Sequence, residues 1–211
     1  MDSREAARHL EAIRTLMERA ALYRRALAPV TLLTGVLGCL AGAIGWIADL
    51  SEPRVFGWYW MGVAGVGLVG ALVLIRRQAL RDHEPFWSPP MRRVGRALLP
   101  PLVAGGVTGM LAAWPEWRDP LQMWWLPAIW MVIYGCALHA AGFFMDRGIT
   151  WFGWVFLGVG CVFLWLLNDR SYASGMPSLR HAHLLMAVAF GGLHLAYGVY
   201  LHLTESHQDA T

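Results

Sequence analysis

Charged residues are placed so that six stretches of the chain, 26–48, 55–75, 97–115, 120–145, 148–168 and 181–204, contain no Asp, Glu, Arg or Lys. Each is close to the roughly 20 residues that carry a helix across a hydrocarbon core. In lipid every backbone amide needs a partner within the protein. Helices meet that demand segment by segment, and no alternating pattern points to a barrel. The sequence predicts an all-α polytopic membrane protein with six transmembrane helices, at about 28–48, 55–75, 97–115, 121–144, 149–168 and 182–203. These make a membrane domain over 28–204, preceded by a charged segment, 1–27, and followed by a short tail, 205–211. The first apolar run has no small-residue cleavage site leading into a soluble domain, so a cleaved signal peptide is not expected.

Composition agrees with this reading and removes several chemistries. Charged residues make up 15% of the chain, where a soluble domain carries about a quarter. All 17 basic residues are arginine. Without lysine there is no Schiff base, lysine nucleophile or phosphate-loop lysine. Cys39, Cys136 and Cys161 stand singly in apolar runs, without metal, redox or disulfide spacing, and read as small packing residues. No window holds a carboxylate or arginine, so ion-coupled transport lacks its usual charged relay.

Arginine placement sets the expected orientation. The N-terminal segment, the 76–96 region and Arg147 hold 13 arginines, against four (Arg54, Arg118, Arg170, Arg180) on the other side. The positive-inside rule makes both termini cytoplasmic, in a bacterial inner membrane. Trp58, Trp60, Trp114, Trp117, Trp124 and Trp125 flank the outer connections, where amphipathic rings settle at headgroup level.

Residues 3–27 read as an amphipathic cytoplasmic helix capped by Ser3. Leu10, Ile13, Met17 and Ala20 form a narrow apolar stripe, suited to lying on the membrane or pairing with a second copy or another membrane-complex partner. The 78–96 loop is basic and carries Phe86 and Trp87; attraction to anionic lipid headgroups accounts for its arginines. Asp82, His83 and Glu84 are consecutive and point apart, which disfavours a metal site. No nucleic-acid-binding motif is present, and no nucleic-acid partner is expected.

The fourth and sixth spans share a pattern: aromatic, Gly, four residues, Ala, x, Gly, x, aromatic. It runs from Tyr134 and Gly135 to Gly142 and Phe144, and again from Phe190 and Gly191 to Gly198 and Tyr200. Each copy frames one histidine, His139 or His194, consistent with a duplicated helical hairpin. Glycines seven apart share a helical face, so each imidazole projects from a strip cleared one turn above and below. That clearance admits a neighbouring helix, with the histidine bonded to Tyr134, Tyr197 or a carbonyl, or a flat ligand such as haem b with His139 and His194 as axial ligands. In the second case Tyr134, Tyr197, Gly135, Gly142, Gly191 and Gly198 would line the site. Counting back from Asp146 and Glu205 at about 1.5 Å per residue, the two histidines lie roughly 10 and 16 Å from the inner boundary. His181, His183 and His202, near the span ends, read as interface anchors. Gly38-x3-Gly42 and Gly105-x3-Gly109 suit close helix packing.

The segments IRTLMERAALYRRALAP (13–29), YGCALHAAGFF (134–144) and FGGLHLAYG (190–198) resemble a set of small bacterial six-span membrane proteins. The resemblance covers most of the chain, implies its architecture and assigns no activity, cofactor or functional residue. The leading expectation is an accessory, scaffolding or regulatory membrane subunit without catalytic activity. It would contact a partner through the N-terminal helix and the basic loop. A haem b or metal electron carrier is the alternative, and a carrier or channel for a small neutral or apolar solute the third reading.

Overall fold

The computed structural model describes residues 27–81, 83, 85–114, 123–169, 175 and 178–208. The N-terminal segment with Leu10, Ile13, Met17 and Ala20 lies outside the described residues. Within them the chain is all-helical: α1 (Leu27–Ile47), α2 (Pro53–Arg81), α3 (Pro89–Ala112), α4 (Trp125–Gly142), α5 (Arg147–Asn168) and α6, which begins at Arg180. α6 runs as α-helix over Arg180–Met186, widens to a π-helical turn over Ala187–Gly192, and resumes as α-helix over Leu193–Gln208. All six helices are long and apolar enough to cross a membrane.

Helix ends follow local chemistry. Asp49 takes a left-handed φ of 50° in the connection between α1 and α2; Asp tolerates this conformation better than most residues. Pro53 then opens α2, and the Glu52 carboxylate accepts the Val55 N–H at 2.9 Å, satisfying a donor that the first turn leaves free. Ser88 is extended (ψ 157°), as a residue before proline must be, and Pro89 and Pro90 open α3, where their missing N–H groups cost nothing. α2 continues to Arg81 and α3 starts at Pro89, so the basic stretch expected as a loop over 78–96 is largely helix. The apolar window measures hydropathy alone; the backbone ladder continues past it into charged residues.

Glycines set which helices approach. On α1, Gly35, Gly38, Gly42 and Gly45 meet α6 at Leu195, Gly191, Ala187 and His183 in turn, as antiparallel neighbours should. A Cβ at Gly38 would lie 2.8 Å from the Gly191 nitrogen, and one at Gly191 would lie 2.6 Å from the Cys39 nitrogen. Only glycine allows such backbone contact. On α4 and α5 a second ladder runs through Gly135, Gly142, Gly153 and Gly160; a Cβ at Gly153 would lie 2.6 Å from the His139 nitrogen. Gly105 and Gly109 of α3 instead make room for the Trp130 side chain of α4.

Two buried cores result. The first, at the end bearing the 48–52 connection, draws Phe56 and Trp60 from α2, Ala112 from α3, Met123, Trp124, Leu126 and Ala128 near the start of α4, and Ala182 and Met186 from α6. The second holds Met131 and Leu138 of α4, Ile149, Phe152 and Phe156 of α5, and Ala189 of α6, with no member from α2 or α3. α2 and α3 correspondingly leave long apolar rows exposed, including Val66, Val69, Leu99 and Val103.

Candidate functional site

His194 follows the π turn of α6. The Leu193 N–H bonds the Val188 carbonyl five residues back, the mark of one extra residue in the turn; such turns recur at functional sites. The π turn coincides with the Gly38–Gly191 crossing, and the Ala187 carbonyl within it receives the Cys39 thiol at 3.8 Å. The His194 ring is 2% exposed and is enclosed by Phe152, Phe156 and Tyr134, with ring centroids 5.0–5.5 Å away. Its Nε2 lies 2.7 Å from the Tyr134 hydroxyl of α4.

Three buried polar atoms, Nδ1 of His194, Nδ1 of His139 and the hydroxyl of Tyr197, have no hydrogen-bond partner among the described residues. Tyr197 instead stacks on Phe152 at 4.6 Å and 14°.

His139 occupies different surroundings. Its ring makes edge contacts with Phe143 at 5.3 Å and Trp154 at 5.1 Å, and Trp154 is itself half exposed. The neighbours of the two framed histidines do not overlap. No ring contact or hydrogen bond joins the pair among the described residues, and aromatic rings fill the space around His194. Of the residues expected to line one site, Tyr134 reaches His194. Gly135 and Gly142 pack on Leu157 and Thr150 of α5, while Gly191 and Gly198 pack on Cys39 and Thr31 of α1. The repeated frame serves the same purpose twice, close approach of a neighbouring helix, but against different helices.

The sequence also placed His183 at an interface, and here the structure corrects it: the ring is 0% exposed. Trp60 Nε1 donates to its Nδ1 at 3.0 Å, and an indole N–H can only donate. Nδ1 is therefore the acceptor, the proton sits on Nε2, and Nε2–H donates to the Leu50 carbonyl at 3.1 Å. Phe56, Tyr59 and Trp60 surround the ring. One turn earlier on α6, Arg180 donates through Nε to the Trp46 carbonyl at 2.7 Å, with its guanidinium 4.5 Å from the Trp46 ring centroid. The start of α6 thus fastens the connection between α1 and α2. Position at a span end concealed this; the available signal was that residues two apart, His181 and His183, face opposite ways on a helix. His181 and His202 are exposed. Of the cysteines, Cys39 packs in the α1–α6 crossing, while Cys136 and Cys161 are exposed.

No protein-family model, curated protein or solved structure matches this chain.

Proposed function

We propose that this chain is a polytopic inner-membrane protein with cytoplasmic termini, acting as an accessory, scaffolding or regulatory subunit with no chemistry of its own. One observation carries the reading: four sets of side-chain hydrogen bonds join neighbouring helices, and aromatic rings fill the room around His194 and His183. Tyr134 bonds His194; Trp60, His183 and Leu50 form a chain; the Tyr59 hydroxyl donates to the Ala41 carbonyl at 2.6 Å and Trp130 Nε1 to the Gly105 carbonyl at 2.9 Å. Each bond joins two helices or a helix to a connection, which is how small polar groups stabilise bundles in lipid. The apolar rows left outward support a lipid environment.

The haem alternative draws no support from this geometry, since His194 Nε2 is engaged by Tyr134 and His139 faces Trp154. A solute path through the second core would have to pass the fully buried Phe156 and Met131.

Partner contact falls to the arginine-rich end, where Arg76, Arg77, Arg81, Arg92, Arg93 and Arg96 are all exposed beside an exposed Trp87. The N-terminal stripe of Leu10, Ile13, Met17 and Ala20 is the second proposed contact. Crosslinking in intact membranes followed by mild-detergent purification tests this. The full chain should carry a stoichiometric partner or a second copy. Deletion of residues 1–22, or replacement of the six arginines by glutamine, should leave a monodisperse bundle without it. Retention of every association by both variants would overturn the reading.

A further inference from the structure

At the end of the bundle where the chain enters α2, Glu52, Arg54, Val55, Trp58 and Tyr59 line an open hollow of about 740 Å³. Its charges are available. Glu52 accepts the Val55 N–H through Oε2, both Glu52 and Arg54 are exposed, and neither joins an ion pair among the described residues. Trp58, 53% exposed, forms a wall of the hollow, and the Tyr59 hydroxyl is turned away into its bond with Ala41. Both charges precede the apolar part of α2, so they sit at headgroup level once α2 spans a bilayer.

The helix face that carries Arg54 and Trp58 continues past the hollow. Arg54, Trp58, Gly62, Gly65 and Val69 follow four-four-three-four spacing, one face of α2. Nothing lies within 4 Å of a Cβ added at Gly62 or Gly65, while Val66 and Val69 stand 63% and 61% exposed beside them. From Trp58 to Val69 the helix rises about 16 Å. That matches the half-thickness, about 15 Å, of a hydrocarbon core.

We propose that this face binds one phospholipid with a primary-ammonium headgroup. Arg54 holds the phosphate, the second oxygen of Glu52 accepts from the ammonium, and an acyl chain lies over Gly62 and Gly65 on the face that carries Trp58. The charge pair selects the headgroup. A guanidinium matches phosphate oxygens, and a carboxylate takes N–H donors that a trimethylated ammonium lacks. A headgroup with a phosphate and no amine leaves Glu52 unmatched.

Native mass spectrometry of the full chain, released from membranes of equal phosphatidylethanolamine, phosphatidylcholine and phosphatidylglycerol, tests this. One phosphatidylethanolamine should be retained several-fold over the other two. Arg54→Gln should lower retention about tenfold, the scale of one charge-assisted contact. Glu52→Gln keeps an acceptor for the Val55 N–H, so it should erase the preference over phosphatidylcholine without loosening α2. Gly62→Leu with Gly65→Leu should release the lipid without lowering the unfolding temperature, because both positions face open space. Retention indifferent to Arg54→Gln and to the paired leucines, or no headgroup preference, overturns the proposal. Conversion of a dimer to a monomer by the paired leucines would also overturn it, by assigning this face to a second copy.

Discussion

The Tyr134 hydroxyl and His194 Nε2, 2.7 Å apart, tie α4 to α6 inside a shell of phenylalanines. Removing one partner leaves the other buried and unpaired, at a cost of about 1–3 kcal/mol, whereas interhelical bonds in bilayers are worth about 0.6 kcal/mol on average. Tyr134→Phe and His194→Leu are each expected to destabilise the bundle, and the double variant to lose clearly less than the sum. A double-mutant cycle of unfolding in detergent measures this; strict additivity would mean that the pair is not coupled.

His183 carries a directional prediction, because its proton is fixed on Nε2 by the Trp60 indole. His183→Phe conserves bulk but orphans the Trp60 N–H and the Leu50 carbonyl, so a loss on the order of 2 kcal/mol is expected. Leu50 lies in the connection between α1 and α2, so the loss should begin there. Hydrogen exchange over residues 48–53 should rise before exchange in α4 does. Uniform acceleration across the bundle would count against a local clasp.

Much of this architecture was legible because charged residues bound the apolar windows, and six uncharged windows became six helices long and apolar enough to cross a membrane. Helix ends were less legible: α2 passes its apolar window to reach Arg81, since hydrogen bonding continues where hydropathy does not. The glycine frames correctly signalled close approach at Gly135 and Gly191, but which helix meets them is a long-range fact. His183 was misread because its end position implies water, while the α1 glycine that admits its ring, Gly45, lies far off in sequence. The π turn over Ala187–Gly192 leaves composition unchanged and had no sequence signature.

The separate surroundings of His139 and His194 predict a colourless protein. A reduced-minus-oxidised visible spectrum, taken after expression with ample haem, should lack the sharp bands of haem b. His139→Ala should change neither spectrum nor fold appreciably, since among the described residues the aromatic neighbours of that ring are Phe143 and the half-exposed Trp154. A haem band lost in His139→Ala or His194→Ala would revive the electron-transfer alternative.

Glycine-to-alanine substitution should separate structural glycines from open ones by the sign of its effect. At Gly38 and Gly191 the added methyl would lie 2.8 Å from the Gly191 nitrogen and 2.6 Å from the Cys39 nitrogen, so α1 and α6 must part. Backbone cannot step aside as a flexible side chain can, and overpacking of this kind costs about 1–3 kcal/mol. At Gly106 and Gly158 nothing lies within 4 Å, and alanine there only restricts the unfolded chain, a gain of about 0.4–1 kcal/mol. Thermal unfolding of the four single variants should give two losses and two small gains. Because the π turn sits at the Gly38–Gly191 crossing, both losing variants should also weaken the Cys39 thiol contact with the Ala187 carbonyl, seen as faster alkylation of Cys39. Equal effects at all four positions would mean that helix propensity, and not backbone proximity, governs these sites.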